Sequence, residues 1–396
     1  MPLWENSITY HEEKKVKRSF TVVIMLAASL ALSVSLAIAE TIKVGAILAV
    51  TGPASFLGGP EARTLEMLAE EINAKGGING NKIELVIKDS GGNPEKAISF
   101  AKQLIEEEKV FAIIGPSTSG ETLKIKQICE AGKTILLSCA AAEQIVEPVA
   151  KYVFKTPQKD SHVVHAIFEN MKSAKISKVA VLASNTGFGQ AGKGQIEKQA
   201  PEYGIQVLAT EVYDSKATDL SAIVAKLAAN KEIQAVINWS VEPAQAIVLK
   251  NIRQAGWKVP IYQSHGFGNI KYVQAAGAAA EGVIFPAGRL LIADKLADKH
   301  PQKAVLTSYT KNYEAKFKEE VSTFGGHGYD AFKILCRGIE LAGANREKVR
   351  DAIENLKGFV GTAGVFNFSP TDHNGLGTDS VTMLTVKGGN FVEYKK

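Results

Sequence analysis

The sequence predicts an α/β fold built as two doubly wound parallel-sheet lobes, and three observations carry that prediction. From Ile42 onward, short β-rich runs alternate with longer amphipathic ones, the pattern of a parallel sheet covered by helices. The alternation pauses at YVFKTPQKD and then restarts with a similar layout, which indicates a second unit of the same kind. After Pro286 come three helical stretches without matching strands, which fit if the chain crosses back to cover the first sheet.

Taken in order, IKVGAILAV predicts a strand, PEARTLEMLAEEINA a helix, KIELVIKDS a strand, PEKAISFAKQLIEEE a helix, VFAIIG a strand, SGETLKIKQICEA a helix and TILLS a strand. The first sheet therefore has about four strands. The second unit runs through a helix from Ser161, strand KVAVLAS, a helix from Gly189, strand IQVLATEVY, helix DLSAIVAKLAAN, strand AVINW, a helix from Glu242, strand VPIYQ and a short strand EGVIF. Helices from Lys303, Gly328 and Arg346 precede the β-rich stretches GVFNFSP and SVTMLTV. The expected domains are discontinuous, with crossings near Thr156, Pro286 and Phe359. Residues 40–157 plus 287–360 form one lobe, and 158–286 plus 361–396 the other.

At the N-terminus, Lys14, Lys15, Lys17 and Arg18 precede FTVVIMLAASLALSVSLAIA, which ends in Ala37-Ile38-Ala39, spaced like a signal-peptidase site. A membrane anchor is the alternative, since Phe20 to Ala39 is about long enough to span a bilayer. The small-residue ending and polar Glu40 favour removal after Ala39. No cysteine lies near that point to carry a lipid, so the expected location is the periplasm. Cys129 and Cys139 could pair in an oxidising compartment, although one sits on a helix and the other ends a strand; Cys336 reads as a small core hydrophobe. Beyond residue 39 the chain keeps a net charge of only +4 without a basic tract interleaved with aromatics, which excludes nucleic acid as a partner.

The stretch GPSTSGET, Gly115 to Thr122, resembles a phosphate-binding loop but puts Glu121 where the lysine belongs. Without that cation a phosphate is disfavoured. What remains is a helix start with three hydroxyls, Ser117, Thr118 and Ser119, and free N–H groups suited to a carboxylate. One hydroxyl suffices to cap the helix. In LLSCAAAEQ, Ala140, Ala141 and Ala142 let a ligand approach the backbone, or simply pack. GFGQAG fits a dinucleotide fingerprint with Glu211 at about the right distance, but export and the late first glycine argue against it. Phe188 opens the helix of that motif. Other strand ends carry Trp239, Glu242 and the Ser264-His265-Gly266-Phe267 loop, whose aromatics stack on a ligand or belong to the core. His327 reads as a helix-start or surface residue. Neither a metal motif nor a serine-hydrolase motif occurs, so no metal, cofactor or enzymatic activity is expected.

With KVGAILAVTGPASFLGG, INAKGGINGNKIELVIKDSGGNPEKA, FAIIGPSTSGET and GGHGYDA in hand, the chain resembles the branched-chain amino-acid type of solute-binding proteins of ABC importers, over nearly all of residues 41–396. The resemblance implies a type I periplasmic binding fold, a Venus-flytrap of two lobes joined by three crossovers, acting as a monomer and delivering a small ligand to a membrane permease. It implies first-lobe contacts at Ser119, with Ser117 and Thr118 beside it, and at Ala140 to Ala142. Second-lobe contacts fall near Phe188, Val241 or Glu242, and His265. The pattern departs where amino-acid binders have a threonine, here Ala142, and an acid for the α-ammonium, here His265. Glu242 compensates only if its side chain enters the cleft. A leucine-type amino acid is the expected ligand and a small aromatic carboxylate the alternative, with a sensor or an exported enzyme as rival roles.

Overall fold

The computed structural model describes residues 41–395, so the signal-peptide reading and its cleavage after Ala39 lie outside the described residues. The strands are β1 (Thr41–Leu48), β2 (Lys82–Asp89), β3 (Ala112–Ile114), β4 (Ile135–Ser138), β5 (Val153–Lys155), β6 (Lys178–Ser184), β7 (Gln206–Tyr213), β8 (Ala235–Trp239), β9 (Ile261–Gln263), β10 (Ile284–Ala287), β11 (Phe359–Val360), β12 (Val365–Phe366), β13 (Thr382–Lys387) and β14 (Asn390–Glu393). The α-helices are α1 (Ser55–Ala74), α2 (Pro94–Lys102), α3 (Ser119–Ala131), α4 (Asp160–Ser173), α5 (Gly187–Gln199), α6 (Ser221–Ala229), α7 (Ala244–Gln254), α8 (Ile270–Ala276), α9 (Lys303–Phe317), α10 (Thr323–Ala342) and α11 (Arg346–Glu354).

One sheet has the order β2-β1-β3-β4-β5, all parallel. The other repeats that order as β7-β6-β8-β9-β10 and adds β13 and β14, which are antiparallel. Both sheets reverse direction of growth beside their first strand, so the loops after β1 and β3 and those after β6 and β8 open at switch points where α/β folds bind ligands. GPSTSGET follows β3, and the GFGQAG motif follows β6.

The first sheet is covered on both faces, which is why its strands read as near-continuous apolar runs. Val44, Ala46 and Leu48 share a core with Leu65, Leu306, Phe332, Leu335 and Val349, so the late helices α9 to α11 do return to this sheet. Ile47, Ile113 and Leu136 face Ala97, Leu104, Ile125 and Cys129 instead. Phe366, Phe368 and Leu376 also pack in the α10 core, so the chain regains the second sheet only at β13, later than the expected crossing at Phe359. The crossings are tied together: Gln158 Nε2 donates to the Ala363 carbonyl at 2.8 Å and Asn374 Nδ2 to the Pro157 carbonyl at 2.8 Å.

Two elements depart from expectation, and one open pairing is resolved. The fifth strand β5 lies in the stretch read as a pause, because three residues are too few to show a period. Helix α1 starts at Ser55, with Pro60 inside it. Proline cannot donate to the carbonyl four residues back, so Phe56 keeps a free acceptor, and Asn269 Nδ2 from the second lobe fills it at 2.9 Å. Finally, Cys129 and Cys139 are both free thiols, buried in different cores on opposite faces of the first sheet.

Candidate functional site

Gly115 ends β3 with φ +93°, and a Cβ there would sit 2.3 Å from the Ile47 carbonyl oxygen, so only glycine lets the chain turn beneath β1. The next three hydroxyls then divide their work. Ser117 Oγ accepts from Ala49 N–H at 3.0 Å and donates to Glu61 Oε2, which commits it to the fold. Thr118 Oγ1 accepts from Glu121 N–H, which caps α3, and donates to Glu121 Oε2 at 2.6 Å. Glu121 at the lysine position is thus part of a helix start. Ser119 Oγ accepts from Ala142 N–H at 3.2 Å and keeps its own proton available, which makes it the donor suited to a carboxylate.

Two cavities meet here. The inner pocket, about 20 Å³, is lined by Ser117, Thr118, Ser119, Ala140 and Ala141 from one lobe and by Phe188, Val241 and His265 from the other, with Leu57, Phe324 and His327 closing it. The outer cleft, about 400 Å³, is lined by Gly91 to Pro94, Thr118, Gly120, Thr186, Gly187, Lys216 and Glu242. Thr118 and Phe188 line both, so Phe188 is the wall between them.

Of the residues expected at the site, the inner pocket's lining includes all but Ala142, Trp239 and Glu242, and Glu242 lines the outer cleft instead. Ala142 lies one layer back, bonded to Ser119. Trp239 is fully buried and supports Phe188 at 5.8 Å and His265 at 6.0 Å between ring centroids. Glu242 does not enter the inner pocket: its Oε2 accepts from Ser240 Oγ at 2.7 Å and from Val241 N–H at 3.2 Å, which folds the carboxylate back onto its own turn. Glu211 binds Lys226 at 2.6 Å on the surface, away from GFGQAG.

His327 corrects the reading of a surface residue. It does lie near the start of α10, capped by Ser322, but the ring is buried and lines the pocket because α10 is sandwiched between α1 and the hinge. Burial pushes its imidazole down to about 3, so it stays neutral. Burial likewise holds His265 well below its usual value, aided by Lys155 and His327. Ser264 beside it donates to the Ser240 carbonyl at 3.3 Å and accepts from Gly266 N–H.

Two further charged groups escaped notice in the sequence. Lys155, fully buried, donates to the carbonyls of Ala141 at 2.8 Å, Pro157 at 2.9 Å and Gln158 at 3.0 Å, and so staples the Ala140 to Ala142 loop to the first crossing. Asp160, at the start of α4, faces His265 Nε2 at 3.8 Å. Burial lowers the proton affinity of Lys155 and raises that of Asp160, while their opposite charges counter both shifts. In the sequence Asp160 follows Lys159, and an adjacent Lys-Asp pair normally marks a solvated turn.

The family described as Periplasmic binding protein matches residues 41–390. The leucine-, isoleucine-, valine-, threonine- and alanine-binding protein of Pseudomonas aeruginosa is 28% identical over 321 residues, 80% of this chain and 82% of that protein. An extracellular ligand-binding receptor from Rhodopseudomonas palustris HaA2 superposes with a TM-score of 0.84 at 27% identity, covering 89% of this chain and 99% of that one. The branched-chain amino acid transporter substrate binding protein LivJ from Streptococcus pneumoniae, solved with isoleucine, gives 0.79 at 26% identity, over 89% and 98% of the two chains. Two doubly wound sheets, three crossings and a pocket between switch-point loops agree with these matches: the chain belongs to the periplasmic binding protein family.

Proposed function

We propose that this is an exported solute-binding protein that captures a small carboxylate between its lobes and hands it, unaltered, to the permease of an ABC importer. The observation that carries the ligand class is Ser119, whose free hydroxyl proton stands at the N-terminus of α3 in a pocket closed by the opposite lobe. In this reading Ser119 holds the carboxylate, Ala140 and Ala141 admit it close to the backbone, and Phe188 and His265 close over the rest of the molecule. Thr118 keeps the helix start in place, Ser117 holds the loop to β1, and Trp239 supports the aromatic wall.

The packing supports lobe boundaries near Gln158, Gly288 and between Leu376 and Thr382. The mature chain works in the periplasm as a monomer, cleaved after Ala39. The names of the relatives favour a leucine-type amino acid. A second reading, a small aromatic carboxylate, is favoured by Phe188 and Phe324 in the wall and by the withdrawal of Glu242 from it. The test is calorimetry on protein refolded to strip carried ligand, titrated with leucine and with benzoate. Binding of either supports the carboxylate reading, and silence of both across millimolar concentrations would refute it.

A further inference from the structure

The inner pocket is lined by two kinds of polar group. One is the Ser119 hydroxyl and the other is the pair of imidazoles of His265 and His327, with Leu57, Phe188, Val241 and Phe324 among the apolar walls. His265 and His327 are 6% and 5% exposed. Both ring nitrogens of His265 and Nδ1 of His327 lack a hydrogen-bond partner among the described residues. Buried polar atoms left in this way are costly, and two such rings lining one pocket point to a partner supplied by the ligand. Behind His265, the Asp160 carboxylate faces Nε2 at 3.8 Å, itself without a hydrogen bond. That neighbour favours the ring proton on Nε2 and leaves Nδ1 as a bare acceptor.

A cation has no counter-charge at this place. None of the side chains lining the pocket is acidic, and Glu242 is turned onto its own loop. Asp160 does not line the pocket, and the Lys155 ammonium, held by three carbonyls, opposes its charge. An ammonium brought here would be desolvated without an ion partner, whereas a hydroxyl offers the same donor without the charge.

Resting on the carboxylate reading above, we propose that the pocket takes a hydroxy-substituted monocarboxylic acid in preference to the amino acid of the same skeleton. His265 Nδ1 accepts from the hydroxyl, and Asp160 acts as the positioning residue that sets the tautomer.

The test is calorimetry on the purified, ligand-stripped protein with two sets of probes: 2-hydroxy-4-methylpentanoate, leucine and 4-methylpentanoate; then 4-hydroxybenzoate and benzoate. On one skeleton the hydroxy acid binds about 10-fold tighter than its counterparts, the worth of one well-made hydrogen bond. His265→Phe removes that margin, so that the hydroxy acid and the unsubstituted acid of the same skeleton bind alike, while His265→Asn, whose carbonyl also accepts, retains part of it. Asp160→Leu narrows the margin, and Asp160→Asn, which can still accept from Nε2–H, restores it. Leucine binding as tightly as its hydroxy analogue, or a margin that survives His265→Phe, overturns the inference and leaves the carboxylate reading standing. Silence of every acid removes both. Should His265→Phe fail to fold, the wild-type ranking of the probes and the Asn variant decide.

Discussion

Gly187 and Gly120 meet where the N-termini of α5 and α3 touch across the cleft, and a single methyl group tests whether that contact governs closure. A Cβ added at Gly187 would lie 2.7 Å from Gly120 Cα and 2.8 Å from Gly120 N, both backbone atoms that cannot rotate away. Ordinary carbon contacts need about 3.5 to 4.0 Å, so the lobes must part by roughly 1 Å at this lip. Overpacking of that kind costs about 1 to 3 kcal/mol, and here it falls on the closed form alone. Because the open form is relieved, Gly187→Ala should lower ligand affinity about 5- to 150-fold with the melting temperature of the stripped protein unchanged or slightly raised. The partner glycine is the control. A Cβ on Gly120 meets Gly187 N only at 3.7 Å and its Cα at 3.9 Å, an ordinary contact, so Gly120→Ala should bind almost normally. Calorimetry and melting curves on both variants decide it. Equal effects at the two positions, or an affinity loss matched by a fall in stability, would refute the reasoning.

Ser119→Ala should weaken binding by about 1 to 3 kcal/mol with little change in melting temperature, whereas Ser117→Ala should do the reverse, stranding the Ala49 N–H and Glu61. Asn269→Asp keeps the α8 cap on Lys271 N–H but loses the donor to the Phe56 carbonyl, so affinity should fall about 5- to 10-fold, as calorimetry would show. Glu61 is pushed up to about 8 by burial, opposed by Ser117. Its folded value exceeds the unfolded one, so the folded state binds the extra proton and stability falls as pH rises from about 4.5 toward 8. Glu61→Gln should flatten that slope in melting curves without abolishing it, because Asp330 is raised to about 7 in the same way.

The alternation of runs was enough to place the strands flanking the site, because strands buried on both faces and amphipathic helices leave different periods in the sequence. KVAVLAS, AVINW and SGETLKIKQICEA coincide with β6, β8 and α3. The site was legible as a set of loops and much less as a set of roles. Nothing local separates Ser117 from Ser119, since the atoms that occupy Ser117 belong to Ala49 and Glu61, brought from β1 and α1 by the fold. His327 was misread for a related reason: a histidine near a helix start is ordinarily solvated, and only the return of α10 to the first sheet buries it. Lys155 and Asp160 carried even less signal, because what makes them unusual is the burial of the hinge on every side.

The contacts that join the lobes also explain why the closed pocket, and neither lobe alone, does the selecting. Phe56 O with Asn269, Gly120 with Gly187, and the Gly268 carbonyl with Thr323 N–H at 3.0 Å and its hydroxyl at 3.2 Å form a ring of contacts around the inner pocket. Inside that ring the free space of about 20 Å³ is near the room of one water, well short of a leucine or a benzoate. A ligand therefore gains its place only as Leu57, Phe188 and Phe324 withdraw or the lobes part slightly, and it is held only when they return. Since Ser119 lies on one side of the cleft and His265 on the other, a molecule satisfying one end earns half of the available interactions. Closure is shifted by the difference between the two states and by nothing else, so on the proposed reading a carboxylate that cannot also satisfy the imidazoles shifts the lobes less.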